Sequence, residues 1–284
     1  MKKISLKYES TIQPVWCPGC GNYGVLKAVM QAFIDLKIAP ENIITISGIG
    51  CSGRFSHYVN TYSLHGTHGR ALPTALGAKA VREDLTVIAV GGDGDGLGIG
   101  GGHIVHAARK NVDITYILID NRVYGLTKGQ SSPTTPLDAY TKTSPYGVYD
   151  TPLNPIPMFI TYDISFIART SVVEYKRMAE IIKKAILHKG MAMIYILSPC
   201  IAYPILALPQ IKSVLAPLPD NYPANEKIKA IEYAYSQKPL YTGIFYQIKK
   251  PTLAEHLKNQ IIAAHSKTKM KKGLTIRELL KSYT

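Results

Sequence analysis

The 284-residue sequence predicts an α/β protein with a doubly wound, mostly parallel sheet and a C-terminal extension. Three observations predict it. Short apolar runs of strand length alternate with stretches of helical periodicity. A glycine-rich segment directly follows one of these runs and opens a helix, the connection by which open α/β sheets approach phosphate groups. From Ile201 the texture changes, with Pro204, Pro209, Pro217, Pro219 and Pro223 interrupting regular structure. At 46% hydrophobic, the chain has enough apolar side chains for a full core.

The elements follow in order. Residues 22–37 carry apolar side chains at Val25, Val29, Ala32, Phe33 and Leu36, one face of a helix. Residues 43–47 and 86–90 read as short buried strands, with a small-residue helix over 70–82 between them. After the glycine run, 98–110 reads as helix and 114–119 as a third strand. Residues 174–188 place Met178, Ile181, Ile182 and Ala185 on one helical side and lead into a strand over 191–197. Such alternation is that of a parallel sheet with helices on both faces. The segment 127–157, with six prolines and little periodicity, reads as a long functional loop. The expected division is a domain over 1–200 and an extension over 201–284, packed on the core or on a partner.

Net charge is +14, which favours an anionic partner and by itself leaves nucleic acid, a membrane surface and an acidic protein open. The basic residues are dispersed apart from Lys267, Lys269, Lys271, Lys272, Arg277 and Lys281, which read as a solvated helix face. The chain starts without the apolar stretch of a secretory signal, and no run approaches the roughly 18 apolar residues of a membrane span. A cytoplasmic location, with no membrane, is expected.

Four cysteines form the whole thiol inventory: Cys17 and Cys20 in Trp16-Cys-Pro-Gly-Cys20-Gly21, Cys51 in Gly50-Cys51-Ser52-Gly53, and Cys200 in Ser198-Pro-Cys200. The two-residue spacer lets the first pair face one metal centre, while Cys51 and Cys200 follow strands, where side chains project from a sheet end. Zinc and an iron–sulfur cluster both take four thiolates. Single ligands lying 31 and 180 residues beyond Cys20 lean towards a cluster, because structural zinc usually repeats the tight pair. Buried thiols or a redox-active pair are the blander reading.

Residues 91–102 hold eight glycines, so the backbone can approach a phosphate and present amide hydrogens to it. Residues 96–101 also satisfy the GxGxxG pattern of nicotinamide-binding domains, with Asp120 placed where a ribose would be held. Asp93 and Asp95 weigh against that reading. Two carboxylates beside a pyrophosphate repel it unless a divalent cation bridges them. Magnesium takes one or two protein oxygens plus phosphate and water, and Asn121, 28 residues after Asp93, is a suitable second ligand.

Gly92-Asp93-Gly94 followed by Asn121 resembles the thiamine diphosphate motif. Together with the three cysteine motifs, His68-Gly-Arg-Ala71 and Tyr124-Gly-Leu-Thr-Lys-Gly-Gln130, it resembles the β subunit of archaeal and bacterial 2-oxoacid:ferredoxin oxidoreductases over about residues 13–200. The resemblance implies a sheet of the thiamine diphosphate-binding type. It implies coenzyme A-dependent oxidative decarboxylation of small 2-oxo acids such as pyruvate or 2-oxoglutarate, with electrons passed through a 4Fe–4S cluster to ferredoxin. Residue by residue, it implies that Cys17, Cys20, Cys51 and Cys200 ligate the cluster. Asp93, Asn121 and the backbone oxygen of Val123 would hold Mg2+. Ile49, Gly50, Cys51, Ser52, Gly94, Asp95, Gly125 and Leu126 would contact thiamine diphosphate, with His68 near its diphosphate. Arg54 would face the substrate, and Lys128, with Lys176 as a further candidate, the anionic coenzyme A or substrate.

Two positions depart from the family. Asp120 replaces the first residue of a common Asn-Asn pair, and Arg54 stands where members taking dicarboxylates commonly carry lysine. The glutamate that activates the cofactor has no place in this chain, so an α subunit, or a fused γ-α subunit, is the expected partner. Ferredoxin, not nucleic acid, is the expected acidic partner. The rival readings are a nicotinamide dehydrogenase, a noncatalytic iron–sulfur subunit and an indolepyruvate-type oxidoreductase.

Overall fold

The computed structural model describes residues 7–205 and 207–268. In chain order the elements are α1 (Asn22–Asp35), β1 (Ile43–Ser47), β2 (Tyr62–His65), α2 (Ala71–Val81), β3 (Thr86–Gly92), α3 (Gly101–Lys110), β4 (Thr115–Asp120), the short β5 (Val123–Tyr124) and β6 (Gln130–Ser131), α4 (Pro155–Thr161), β7 (Phe166–Ser171), α5 (Tyr175–Leu187) and β8 (Ala192–Leu197). After residue 200 follow α6 (Leu208–Val214), β9 (Leu215–Pro217), α7 (Lys227–Tyr235), β10 (Leu240–Gln247) and α8 (Leu253–Thr268).

Among the described residues, eight strands form one sheet in the order β2-β1-β3-β4-β8-β7-β10-β9. The six from β2 to β7 are parallel; β10 runs antiparallel to β7, and β9 pairs parallel with β10. The expected doubly wound, mostly parallel sheet is therefore present. Its central strands are buried on both faces and read as continuous apolar runs, because helices cover both sides. Alternation along β4 divides the core: Ile117 and Ile119 face a layer with Val25, Val29 and Phe33 of α1 and Ile182 of α5. Tyr116 and Leu118 face the opposite layer, with Ile104 of α3 and Phe159 and Ile160 of α4.

The four strands and four helices read from periodicity are found with ends shifted by a few residues at most. The largest shift lies at α3: residues 94–99 wind as a wider, π-type turn kinked at Gly98 (ψ −111°), and the α-helix starts at Gly101. Strand β2 is exposed along its length, and its brief alternation of Tyr62 and Leu64 with Ser63 and His65 is too short to mark it as a strand. Strand β7 is buried throughout yet includes Arg169, Thr170 and Ser171, which hide it from a hydrophobicity reading. Within the proline-rich segment, Pro155 opens α4, a position where its missing N–H costs nothing.

Strand β10 joins the segment beyond residue 200 to the same sheet, and Phe245 contributes a fully buried side chain. Of the basic tail only Lys267 falls within the described residues, in α8; the others lie outside them. No described helix is long and apolar enough to cross a membrane.

Candidate active site

Strands β1, β3, β4 and β8 are neighbours and parallel, so their carboxyl ends lie on one edge of the sheet. The loops leaving those ends carry Cys51, Asp93 with Asp95, Asn121 with Val123, and Cys200. The chain steps outward from β1 to β2 and then returns past β1 to β3, and at such a switch point two diverging loops leave a crevice. A cavity of about 200 Å³ opens there. Its wall brings together Ile49, Gly50, Cys51, Ser52, His68, Asp93, Gly94, Asp95, Asn121, Val123, Gly125 and Leu126. Gly50 has φ +98°, a conformation that favours glycine, and this lets the backbone turn back along the cavity. A Cβ on Gly94 would stand 2.2 Å from the Tyr124 ring, so only glycine lets that ring close the wall.

The two loop carboxylates are differently employed. Asp95 Oδ1 accepts hydrogen bonds from the N–H groups of Ile49 (2.9 Å) and Gly69 (2.7 Å) and pairs with His68 Nδ1 (2.8 Å). Its Oδ2 is buried without a partner. Asp95 thus ties the loop after β1 to His68 across the cavity floor. Asp93 Oδ2 lies 3.1 Å from the Thr134 hydroxyl, which also reaches Asp120 Oδ1 at 2.8 Å, and Asp93 Oδ1 is 3.5 Å from the Asn121 N–H. Burial first, and the Asp120 charge second, push the Asp93 carboxyl well above the usual carboxylate range. A group so placed ionises readily only beside a cation. Asn121 Oδ1 accepts from the Val123 N–H (3.1 Å), which holds the amide oxygen and the Val123 backbone on one side of the turn. The carboxylate and amide oxygens are hard donors that suit a divalent cation bridging to phosphate.

All four cysteines are free thiols. Cys17 is exposed, and Cys20, Cys51 and Cys200 are half-buried. Burial pushes the Cys51 thiol up to about 11, with further upward contributions from Cys20, Cys200 and Cys17 and a downward one from Arg54. Burial, then Cys200 and Cys17, raise Cys20 as well, against the pull of its backbone hydrogen bond. The four sulfurs are therefore neighbours, drawn from three loops. Among the described residues, no three His, Cys, Asp or Glu side chains are gathered tightly enough to hold a single metal ion. The Cys200 Sγ accepts from the Tyr203 N–H (3.4 Å) and lies 3.2 Å from where a Cβ on Gly125 would stand, so it abuts the cavity wall. Cys51 lines that wall directly.

Arg54 and Lys128 lie outside the lining. Arg54 sits in the short turn after Cys51, close enough for its charge to act on that thiol. Lys128 is exposed, at φ +76° in the turn joining β5 and β6, and Lys176 is exposed in the first turn of α5. Asp120, which a nicotinamide-binding reading assigns to a ribose, is 2% exposed and committed elsewhere: it accepts from Tyr195 Oη, Thr134 Oγ1 and the Arg122 N–H. Three contributors carry no sequence signal of this kind. Thr134 reaches Asp93 from 41 residues away, and Tyr195 reaches Asp120 from 75. Trp16, readable only as an aromatic wall, donates from Nε1 to the Cys51 carbonyl at 2.7 Å and packs edge-on against Tyr23 and Tyr58.

Residues 48–196 match the family described as thiamine pyrophosphate enzyme, C-terminal TPP binding domain. The chain is 50% identical over 190 residues to a 2-oxoacid:ferredoxin oxidoreductase subunit β of Saccharolobus solfataricus, covering 66% of this chain and 62% of that one. It is 36% identical over 259 residues to a 2-oxoglutarate synthase subunit of Methanocaldococcus jannaschii, covering 89% and 95%. A solved structure of 2-oxoglutarate:ferredoxin oxidoreductase from Magnetococcus marinus, with 2-oxoglutarate, coenzyme A and succinyl-CoA bound, superposes with a TM-score of 0.93 at 36% identity, covering 99% of this chain and 96% of that one. Against the Saccharolobus and similar relatives the chain spans a little under two thirds of their length.

Proposed function

Because this chain belongs to the β subunits of the 2-oxoacid:ferredoxin oxidoreductases, we propose that it is the cofactor- and cluster-carrying half of an enzyme that oxidatively decarboxylates a 2-oxo acid with coenzyme A. Acyl-CoA and carbon dioxide are the products, and ferredoxin receives the electrons. The observation that carries the reading is Cys51, which stands in the cavity wall and in the group of four thiols at once. An electron leaving the cavity has one residue to cross.

Asp93, Asn121 Oδ1 and the Val123 carbonyl would hold magnesium; residues 49–52, His68, Gly94, Asp95, Gly125 and Leu126 would hold thiamine diphosphate; Cys17, Cys20, Cys51 and Cys200 would hold a 4Fe–4S cluster. When bound, thiamine diphosphate supplies an electron sink for decarboxylation, magnesium the charge that joins diphosphate to Asp93, and the cluster a one-electron acceptor. The chain's own residues do the positioning. Burial and the Asp120 charge raise the Asp93 carboxyl, so a bound cation would favour its ionised, ligating form. His68 is fixed against Asp95, which leaves its other ring nitrogen to face the cavity. The Trp16 bond to its carbonyl steadies Cys51 where the two sites meet. Arg54, with a planar fork of donors, suits a second carboxylate and favours 2-oxoglutarate, the compound named for the Magnetococcus and Methanocaldococcus relatives. Lys128, exposed beyond Leu126, would meet an anionic coenzyme A.

Residues 1–200 would form the cofactor domain, with 201–284 an extension packed on it or on the partner. An α, or fused γ-α, subunit would complete the active site with the activating carboxylate. The test is 2-oxoglutarate-dependent reduction of ferredoxin by the chain alone and mixed with that subunit. Turnover that needs both subunits and coenzyme A supports the reading; full turnover by the single chain, shown by mass spectrometry to be free of others, overturns it.

A further inference from the structure

Behind the first site lies a second cavity, of about 220 Å³, between the proline-rich segment and β7. Thr134 and Tyr195, which line it, both bond Asp120, and Thr134 also reaches Asp93, so the two cavities share a wall. Its distinctive residues are two arginines, Arg122 and Arg169.

Arg169 is 2% exposed. Part of its presence has a structural explanation: Nε donates to the Tyr241 carbonyl at 2.7 Å, tying β7 to β10, and its guanidinium lies over the Phe245 ring at 4.8 Å. The remainder does not. Nη2 is buried with no hydrogen-bond partner, and no carboxylate pairs with the group among the described residues. Arg122 follows the proposed metal ligand Asn121 in a left-handed turn (φ +61°) and makes no side-chain hydrogen bond or ion pair among the described residues. The two guanidiniums sense each other: burial first, and the Arg122 charge with it, lower Arg169 to about 10, which leaves it charged at neutral pH. Asp120 forms no ion pair with either arginine among the described residues; its oxygens face Tyr195, Thr134 and the Arg122 N–H instead. A buried, unpaired cation such as Arg169 is costly, and the half-buried Arg122 beside it adds like-charge repulsion, unless an anion is held between them.

We propose that this cavity is a binding site for a small free oxyanion of sulfate, phosphate or short carboxylate type, gripped by Arg122 and Arg169. A planar guanidinium offers parallel N–H groups matched to such oxygens. The cavity, of about 220 Å³, has room for a small oxyanion with some hydration. The site does not depend on the proposed reaction, because its residues are distinct from the first cavity's lining.

The test is equilibrium dialysis of the assembled enzyme against radiolabelled sulfate, with thiamine diphosphate and magnesium saturating so that the diphosphate site is filled, and chloride holding ionic strength constant. Saturable binding of one sulfate per chain is expected, weakened at least tenfold by Arg122→Gln and by Arg169→Gln. Arg169→Gln also loses the contacts to Tyr241 and Phe245, so Arg122→Gln, whose side chain has no partner to lose, carries the decision. No saturable sulfate binding by the parent enzyme, as when a carboxylate of the partner subunit already fills the cavity, overturns the proposal. So does sulfate binding that Arg122→Gln leaves unchanged.

Discussion

Gly94→Ala is expected to damage cofactor binding through one aromatic ring. An added Cβ stands 2.2 Å from Tyr124 Cε1, and ordinary contact begins at 3.4 Å, so the ring must retreat by 3.4 − 2.2 = 1.2 Å. Its hydroxyl donates to the Gly94 carbonyl at 3.0 Å, and that bond cannot survive such a shift unchanged. Overpacking of this kind costs about 1–3 kcal/mol and the lost bond about 1 kcal/mol, so a destabilisation of about 2–4 kcal/mol is expected. For a chain of this size, about 2–4 °C per kcal/mol puts the fall in melting temperature at about 4–16 °C. Tyr124 borders the cavity, and its half-buried ring retreats most easily into that space, so thiamine diphosphate affinity should fall at least tenfold. Thermal melting of the ligand-free chain and calorimetric titration of the assembled enzyme with cofactor and magnesium read the two effects. Adding Tyr124→Ala removes the obstacle and should return part of both losses, a coupling that a double-mutant cycle measures. Gly94→Ala with the parent's melting temperature and affinity would refute the reasoning.

The remaining expectations rest on charge. Asp93 has a raised carboxyl pKa, so its contribution to the ligand-free fold is present below the unfolded value and lost as pH climbs through the folded one. The melting-temperature gain from magnesium plus cofactor should therefore grow with pH above the usual carboxylate range, and Asp93→Asn should flatten it; a gain independent of pH in the parent would be inconsistent with this. Cys51, at about 11 against an ordinary 9, should carry about a hundredfold less thiolate at pH 8 in the folded, cluster-free chain than in the denatured one and alkylate about tenfold more slowly, since the higher-pKa thiolate is more nucleophilic, by peptide mass spectrometry; equal rates would remove the argument from burial. With a net charge of +14, ferredoxin reduction should slow as salt shortens the Debye length from about 10 Å at 0.1 M to about 3 Å at 1 M, while reduction of an uncharged dye by the same enzyme changes little. Equal salt dependence of both rates would rule out steering.

Much of this was legible because it obeys short-range rules. The buried faces of α1 and α5 recur at helical spacing, β1, β3, β4 and β8 are apolar runs, and the cysteine and glycine motifs are compact in sequence. Those four strands also place their loops on one edge, so the residues chosen from the glycine and Cys51 motifs meet at one cavity, while Cys17, Cys20, Arg54, Lys128 and Cys200 lie outside its lining. What was hidden depends on partners far apart in the chain. Thr134 is an ordinary threonine until β3 and β4 bring Asp93 and Asp120 beneath it, and Trp16 an ordinary aromatic until the Cys51 carbonyl meets its N–H. Arg169 has no local signature at all, since its place on β7 is fixed by pairing with β8 and β10 rather than by periodicity. The GxGxxG match failed for a geometric reason: its glycines wind through a kinked turn, and Asp120 is sealed beneath Tyr195 instead of facing a ribose.

The most direct measurement is the content of iron, acid-labile sulfide, zinc and thiamine diphosphate in the enzyme assembled and purified without oxygen. About four iron and four sulfide per chain are expected, with one thiamine diphosphate, the iron falling away in Cys17→Ala and Cys200→Ala and the thiamine in Asp93→Ala. Stoichiometric zinc without sulfide, or full iron and sulfide in both cysteine variants, would contradict the account.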